Sequence, residues 1–354
     1  METSHPEVTV QVIIPARNEE DCLARCLESL AGQQGISFRI TVVDDGSTDR
    51  TRAIAESMAG VEVISAPEPP PGVMGKCNAL ITGAHGSKAP WLLFTDADTV
   101  HYPGSLAAAV QEAEDRGVAL LSYSPEQETA SWAESALMPL VFADLVRTYP
   151  PERVNDPGDP SVAANGQYIL VRRADYEALG GHAAVSRSIL EDVELARLFK
   201  VSGKKIWFRQ GAGRVRTRMY RSFNAMWEGW TKNLALLFRH PLLLAVVRGS
   251  EFLAVILLLA AAGVAVKHRQ PHAAEVAVVL AVMMCLTFLR RILRAHFPWR
   301  ANIMSFFGLP LFVSLLLRSY LHAKVHGEVT WKGRTYHQSE PGKVVDSSTS
   351  RGAS

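Results

Sequence analysis

The chain has 354 residues, 37 Lys plus Arg against 35 Asp plus Glu, and a mean hydropathy of +0.06. That near-balance excludes the global basic field of a nucleic-acid-binding protein, and the length suffices to bury a sizeable core. Four cysteines, Cys22, Cys26, Cys77 and Cys285, lack the paired spacing of a zinc site or a disulfide framework, which points to a reducing compartment.

The N-terminal segment has acidic residues and a proline ahead of a short apolar stretch, without the basic start and long apolar core of a signal peptide, so the first domain reads as cytoplasmic. Residues 8–14 are rich in β-branched side chains and end at Pro15, the pattern of a buried strand. Leu23, Leu27 and Leu30 then recur at helical spacing over residues 20–30. The alternation continues with a strand at 38–43, a helix from about Asp49, a strand at 61–65, a helix from about Gly75 and a strand at 91–95. Strands alternating with helices predict an α/β domain with a mostly parallel, Rossmann-like sheet. The polar clusters ARNEE (16–20), DDGSTD (44–49) and DADT (96–99) each follow a strand, where such sheets bind ligands. Two loops rich in proline, 66–72 and 150–160, punctuate this part, the second separating its halves.

Beyond Leu234 the character changes. Residues 252–266 are entirely apolar, 273–289 carry one acidic residue, and 303–317 are apolar with an interruption at Gly308 to Pro310, giving two or three membrane segments. Arg290, Arg291, Arg294 and Arg300 crowd the loop after the second segment and place it in the cytoplasm, on the side of the first domain. Lys324, Lys332 and Arg334 argue against export of the tail, so the third segment reads as re-entrant or interfacial. The expected division is a catalytic domain at 1–234, membrane-anchoring helices at 235–325 and a cationic, polar tail at 326–354.

The sharpest chemical signal is TDADT (95–99), which sets Asp96 and Asp98 two residues apart just after an apolar strand. Such carboxylates suit a hard divalent cation, Mg²⁺ or Mn²⁺, completed by substrate phosphate and water. An isolated Asp-x-Asp is more often a solvated turn, and it is the context that reverses this. Asp44 and Asp45 stand together at a strand end, where a carboxylate accepts from a base N–H or a ribose hydroxyl, whereas Ser47 to Asp49 are explained by a helix cap. Lys76, in GKCNAL (75–80), opens a helix as a cation near phosphates but lacks P-loop spacing, which excludes an ATPase. Glu191 and Asp192, in SILEDVEL (188–195), precede a helix whose dipole they compensate. The same carboxylates suit a general base for an acceptor hydroxyl, with Asp192 favoured over Glu191.

PARNE, VVDDGSTD, GK-x-NAL, TDADT and LEDVELA, in this order and spacing over residues 8–232, resemble glycosyltransferase family 2, an inverting family of GT-A fold. The resemblance implies that Pro15, Arg17 and Glu19 line a nucleotide pocket, that Asp44 and Asp45 contact the nucleotide, with Asp45 on the base, and that Lys76 approaches the diphosphate. It implies further that Asp96 helps hold the nucleotide sugar, UDP-linked by preference, that Asp98 with Asp96 binds the metal, and that Asp192 deprotonates the acceptor. Residues 164–168, ANGQY, and 180–182, GGH, are similar to the acceptor-side stretch of relatives. Relatives often carry Gln or Arg, two residues, then Arg-Trp after the base motif; here Arg218-Met-Tyr-Arg221 is followed by Ser222, with tryptophan only at Trp227 and Trp230, so Arg221 is the diphosphate candidate. TWKGRTY (330–336) resembles the closing motif of bacterial enzymes acting on apolar acceptors, including carotenoid- and hopanoid-associated glycosyltransferases. The expectation is a hexosyltransferase acting on a lipid in the inner membrane, its catalytic domain cytoplasmic. A polyprenyl-phosphate sugar transferase is the nearest rival; a processive synthase, a nucleotidyltransferase and a non-catalytic scaffold are more distant.

Overall fold

A computed structural model describes residues 8–325, 328–331, 334–340 and 343–345, with side chains through residue 322. The first strands and helices alternate as the hydrophobic pattern predicts: β1 (Val10–Ala16), α1 (Leu23–Ala31), β2 (Phe38–Asp44), α2 (Thr51–Glu56), β3 (Val61–Ser65), α3 (Gly75–Ala84) and β4 (Trp91–Phe94). There follow β5 (Thr99–His101), α4 (Ser105–Asp115), β6 (Leu120–Ser124) and β7 (Glu126–Gln127). Next comes a long helix, α5 (Trp132–Thr148), opened by a capping box in which the Ser131 hydroxyl accepts from the Glu134 N–H and Glu134 accepts from the Ser131 hydroxyl and the Ala130 N–H. The chain continues through α6 (Pro151–Val154), β8 (Ile169–Arg172), α7 (Arg173–Ala178), α8 (Gly181–Val185), α9 (Glu191–Val201), β9 (Ile206–Gln210) and β10 (Val215–Thr217). It then enters α10 (Phe223–Leu237), α11 (Pro241–Lys267), α12 (Pro271–Ile292) and α13 (Trp299–Val325). Three strands, Glu328–Trp331, Arg334–Glu340 and Lys343–Val345, close the chain as an antiparallel sheet.

The chain divides into two compact units, neither continuous in sequence. The first comprises residues 1–128, 151–218 and 328–354. Its main sheet runs β3-β2-β1-β4-β8-β6-β9. Only β8 runs against its neighbours, so the expected parallel sheet is mixed at one strand. That reversal brings the loop before β8 to the carboxyl end of β4, since Phe94 lies opposite Ile169. A second sheet, β5-β10-β7, sets Thr217 opposite Thr99. The core is built from Val10, Val12 and Ile14 of β1, Leu23, Leu27 and Leu30 of α1, and Trp91 and Leu93 of β4. On the other face of β1, α3 approaches so closely that a Cβ on Gly83 would come within 2.5 Å of Ile13 and 2.8 Å of Val43 side-chain carbons.

The second unit, residues 129–150 and 219–327, is helical. Leu137, Leu140 and Val141 of α5 share a buried cluster with Trp230 and Leu234 of α10 and with Leu309, Phe312 and Leu316 of α13. Among the described residues three helices are long and apolar enough to cross a membrane, with mean hydropathies of 2.3, 2.2 and 1.6. The third is one continuous helix through Gly308 to Pro310, where an added Cβ would collide with the Ala136 carbonyl oxygen. Large apolar side chains such as Leu253, Leu257, Val276 and Phe307 are exposed on these helices, a surface that lipid tails satisfy and water does not. Arg291 departs from its expected place in the loop charge. It turns inward, and with Arg248 it holds Asp144 and Glu251 in a buried network, Arg248 bonding both Asp144 oxygens at 2.6 and 2.9 Å. Of the TWKGRTY motif, Thr330 and Trp331 end one terminal strand and Arg334 to Tyr336 begin the next; Lys332, Gly333 and all of the motif's side chains lie outside the described residues.

Candidate active site

Three polar loops meet at the carboxyl edge of the main sheet. After β1, Asn18 adopts a left-handed conformation, φ 54°, held by its side-chain Oδ1 accepting from the Thr48 N–H at 2.8 Å and its backbone N–H donating to the Ser47 hydroxyl at 3.1 Å. This ties ARNEE to DDGSTD. The Glu19 N–H donates to the Thr51 hydroxyl, and Asp49 accepts from the N–H groups of Glu20 and Thr51. The cap expected at Ser47 to Asp49 is thus mostly a clasp between two loops. Pro15 lies within β1, with Ala16 and Asp44 ending β1 and β2 in register. Arg17 donates to the Asp45 carbonyl and lies 3.9 Å from its carboxylate; Asp44 accepts from the Ser47 N–H and faces Arg52 at 3.8 Å. Asp44 and Asp45 are both buried at the strand end, and Gly46, φ 71°, makes the turn.

The turn after β4 carries Asp96 and Asp98. Lys76, the second residue of α3, reaches Asp96 at 2.9 Å and Glu191 at 3.1 Å. One ammonium therefore joins the TDADT turn to the first turn of α9. Burial alone would depress the Lys76 pKa, but Asp96 and Glu191 hold it well above its usual value, and Lys76 in turn keeps Glu191 below the usual carboxylate range against the effect of burial. Asp192 is treated differently by the same surroundings: burial and then the Glu191 charge push it up to about 6. Its Oδ2 accepts from the Gly166 N–H at 2.9 Å and its Oδ1 from the Val193 N–H at 2.8 Å. A Cβ on Gly166 would sit 3.0 Å from the Lys76 ammonium, so a side chain there would crowd Lys76 and Asp192. Glu191 and Asp192 are the first two residues of α9 rather than its preceding loop.

Asp98 is pushed up to about 7 by burial and by the neighbouring Asp96 and Glu19 charges. Its carboxylate accepts from the Gln167 amide at 3.3 and 3.4 Å, and its carbonyl accepts from the Thr217 hydroxyl at 3.1 Å. Gln167 also donates to Thr217. Gln167, Thr217, Asn18 and the Gly166 N–H carry no signal as separate motifs. Gln167 and Gly166 fall within the ANGQY stretch, while Thr217 comes from a three-residue strand that becomes relevant only by pairing with β5. His182 is buried and neutral, its pKa lowered by burial to about 4, and it packs edge-on against Phe94 as part of the floor. Arg221 is exposed just ahead of α10 in the second unit, and the contacts described for the first unit's site do not include it.

Residues 11–180, which contain these three loops, match the family model described as Glycosyl transferase family 2. The chain is a glycosyltransferase with a family 2 domain. Its mixed sheet and carboxylate-bearing strand ends form a GT-A-like α/β fold, followed by apolar helices. The glycosyltransferase is 28% identical to the 4,4'-diaponeurosporenoate glycosyltransferase of Staphylococcus aureus strain MRSA252, over 94% of this chain and 89% of that protein. The same-named protein of strain USA300 is 30% identical over 66% of this chain, and the aligned part spans 62% of that protein. Among solved structures, a mannosyltransferase from Pyrobaculum calidifontis in complex with GDP-Man and Mn2+ has a TM-score of 0.48 at 17% identity, covering 89% of this chain and 86% of that one.

Proposed function

We propose that the glycosyltransferase moves a hexose from a nucleotide-diphosphate sugar, most naturally UDP-linked, to the hydroxyl or carboxyl of an apolar, carotenoid-like lipid, with inversion. The observation that carries this reading is the Lys76 bridge, which joins the carboxylate turn of the donor motif to the Glu191-Asp192 pair. In this reading residues 1–234 do the chemistry, 235–325 anchor the enzyme in the inner membrane with its catalytic part cytoplasmic, and 326–354 form a tail. The exposed apolar faces of three helices support a membrane location, and the diaponeurosporenoate named for the relative supports an apolar acceptor.

Pro15, Arg17, Glu19, Asp44 and Asp45 line the nucleotide pocket, and Lys76 offers cationic charge to the diphosphate. Arg221 is a further diphosphate candidate carried by the resemblance. A hard divalent cation fits Asp98 and Asp96, because both offer only oxygen and the charge gathered by Asp98, Asp96 and Glu19 is what a cation offsets. Among the described residues no group of three His, Cys, Asp or Glu side chains could hold a metal, so the remaining positions fall to phosphate and water. When bound, such an ion stabilises the charge of the departing diphosphate. Asp192, oriented by the Gly166 and Val193 N–H groups, takes the proton of an acceptor hydroxyl as it attacks in line.

The test is transfer by the detergent-purified full chain, supplied with a panel of UDP and GDP sugars, Mg²⁺ or Mn²⁺, and total lipid of its host. A labelled glycolipid that disappears with EDTA and in Asp98→Ala is expected. Failure of every donor to bind or turn over would refute the catalytic reading, and full activity in Asp192→Asn would exclude a hydroxyl acceptor in favour of one already ionised, a carboxylate or a phosphate, which needs no base.

A further inference from the structure

The helical unit contains a cavity of about 330 Å³ where the end of α5 meets the link from α10 to α11. This is at the lower end of small-ligand sites, about 300–1,000 Å³. The walls have two characters. Phe238, Leu243 and Val247 supply apolar surface, and Arg147, Arg239 and His240 supply cations or donors. The lining includes one acid, Asp144, whose two oxygens are already occupied by Arg248 and Arg291. The side chains of Arg147, Arg239 and His240 have no hydrogen-bond or ion-pair partner among the described residues. The Tyr149 hydroxyl donates to the Leu237 carbonyl at 2.7 Å and fixes the two walls together. The cavity therefore presents positive charge that no protein group answers.

We propose that this cavity binds the phosphate headgroup of an anionic membrane lipid, with the guanidinium groups of Arg147 and Arg239 on the phosphate and the first part of the chain along α11. Arg binds phosphate through its planar fork of donors, and cations at the cytoplasmic end of a membrane helix attract anionic lipid. The apolar wall decides for a lipid over a free anion. From Leu243 and Val247 the exposed apolar surface of α11 continues through Val246, Leu253 and Leu257, a track along which an acyl chain lies and a soluble phosphate gains nothing. Such a site requires the helices to lie in a bilayer, and it holds whichever acceptor is glycosylated.

Native mass spectrometry of the full chain in a neutral detergent, titrated with phosphatidylglycerol, with phosphatidylcholine of the same chains, or with inorganic phosphate, reads the site without reference to transfer. One phosphatidylglycerol should be retained per chain in preference to phosphatidylcholine, and excess inorganic phosphate should not displace it. Arg147→Gln and Arg239→Gln should each weaken retention roughly fivefold. The exposed pair Arg290→Gln and Arg294→Gln, which do not line the cavity, should leave it unchanged. Equal retention of both lipids, no retention of either, displacement by phosphate alone, or an equal loss in the Arg290 and Arg294 variants would overturn the proposal.

Discussion

Glu191 and Asp192 are adjacent in sequence and share the same burial, yet Lys76 bonds only the first. This leaves Asp192 with a pKa of about 6, close to where a base is effective. Asp192→Asn should cut transfer to a hydroxyl by about 10²–10⁴-fold, measured as kcat/KM with saturating donor. Between its ordinary 3.8 and about 6, the native protein keeps a proton that the unfolded chain has lost, so the Asp192 contribution to stability falls as pH rises through that window. The neutral Asn variant should therefore not melt below the wild type at pH 7.5, which separates loss of chemistry from loss of fold. For activity the sign is opposite: kcat/KM should decline as pH drops through about 6, because the carboxylate is the active form. Glu191→Gln removes the neighbouring negative charge, lowers the Asp192 pKa and should move that acid limb to lower pH, seen in a pH profile between 5 and 8.

The first four strands were legible because β-branched or apolar runs and the polar clusters behind them need only local chemistry. Residues 61–65 match β3 at both ends, and the other early elements differ by at most three residues at their ends. The reversed β8 was not legible, since four residues, Ile169–Arg172, give no sign of strand direction. For that reason the acid clusters were found with roles, Gly166 and Gln167 only as part of an acceptor-side stretch, and Thr217, which bonds Gln167 and the Asp98 carbonyl, not at all. α5 is a second such case. Its Ser-x-x-Glu capping box is too short a signal to fix a 17-residue helix, and its buried Asp144 finds Arg248 only 104 residues later. Close packing of α3 on β1 makes its own prediction: Gly83→Ala should destabilise by about 1–3 kcal/mol, with Gly83→Val worse, both checked by denaturant unfolding of the first unit.

The second unit is held together by packing and by one buried ionic network linking α5, α11 and α12. Arg248→Met removes the closer of the two arginines on Asp144, leaving Arg291 as its remaining partner, and should cost about 1–3 kcal/mol, read as a fall in melting temperature in detergent. Arg248→Lys should recover little, because an ammonium cannot reproduce the two-pronged contact. Leu137, Leu140 and Val141 of α5 lie in a cluster completed by Leu309, Phe312 and Leu316. A shortened chain ending at residue 234 would keep α5 but lose those α13 partners, leaving a sticky apolar helix in the middle of an otherwise water-soluble sequence. The catalytic part is thus not severable by a single cut. On the ribosome, α5 emerges more than 150 residues before its α13 partners, so the nascent protein must shelter that helix until α13 is made.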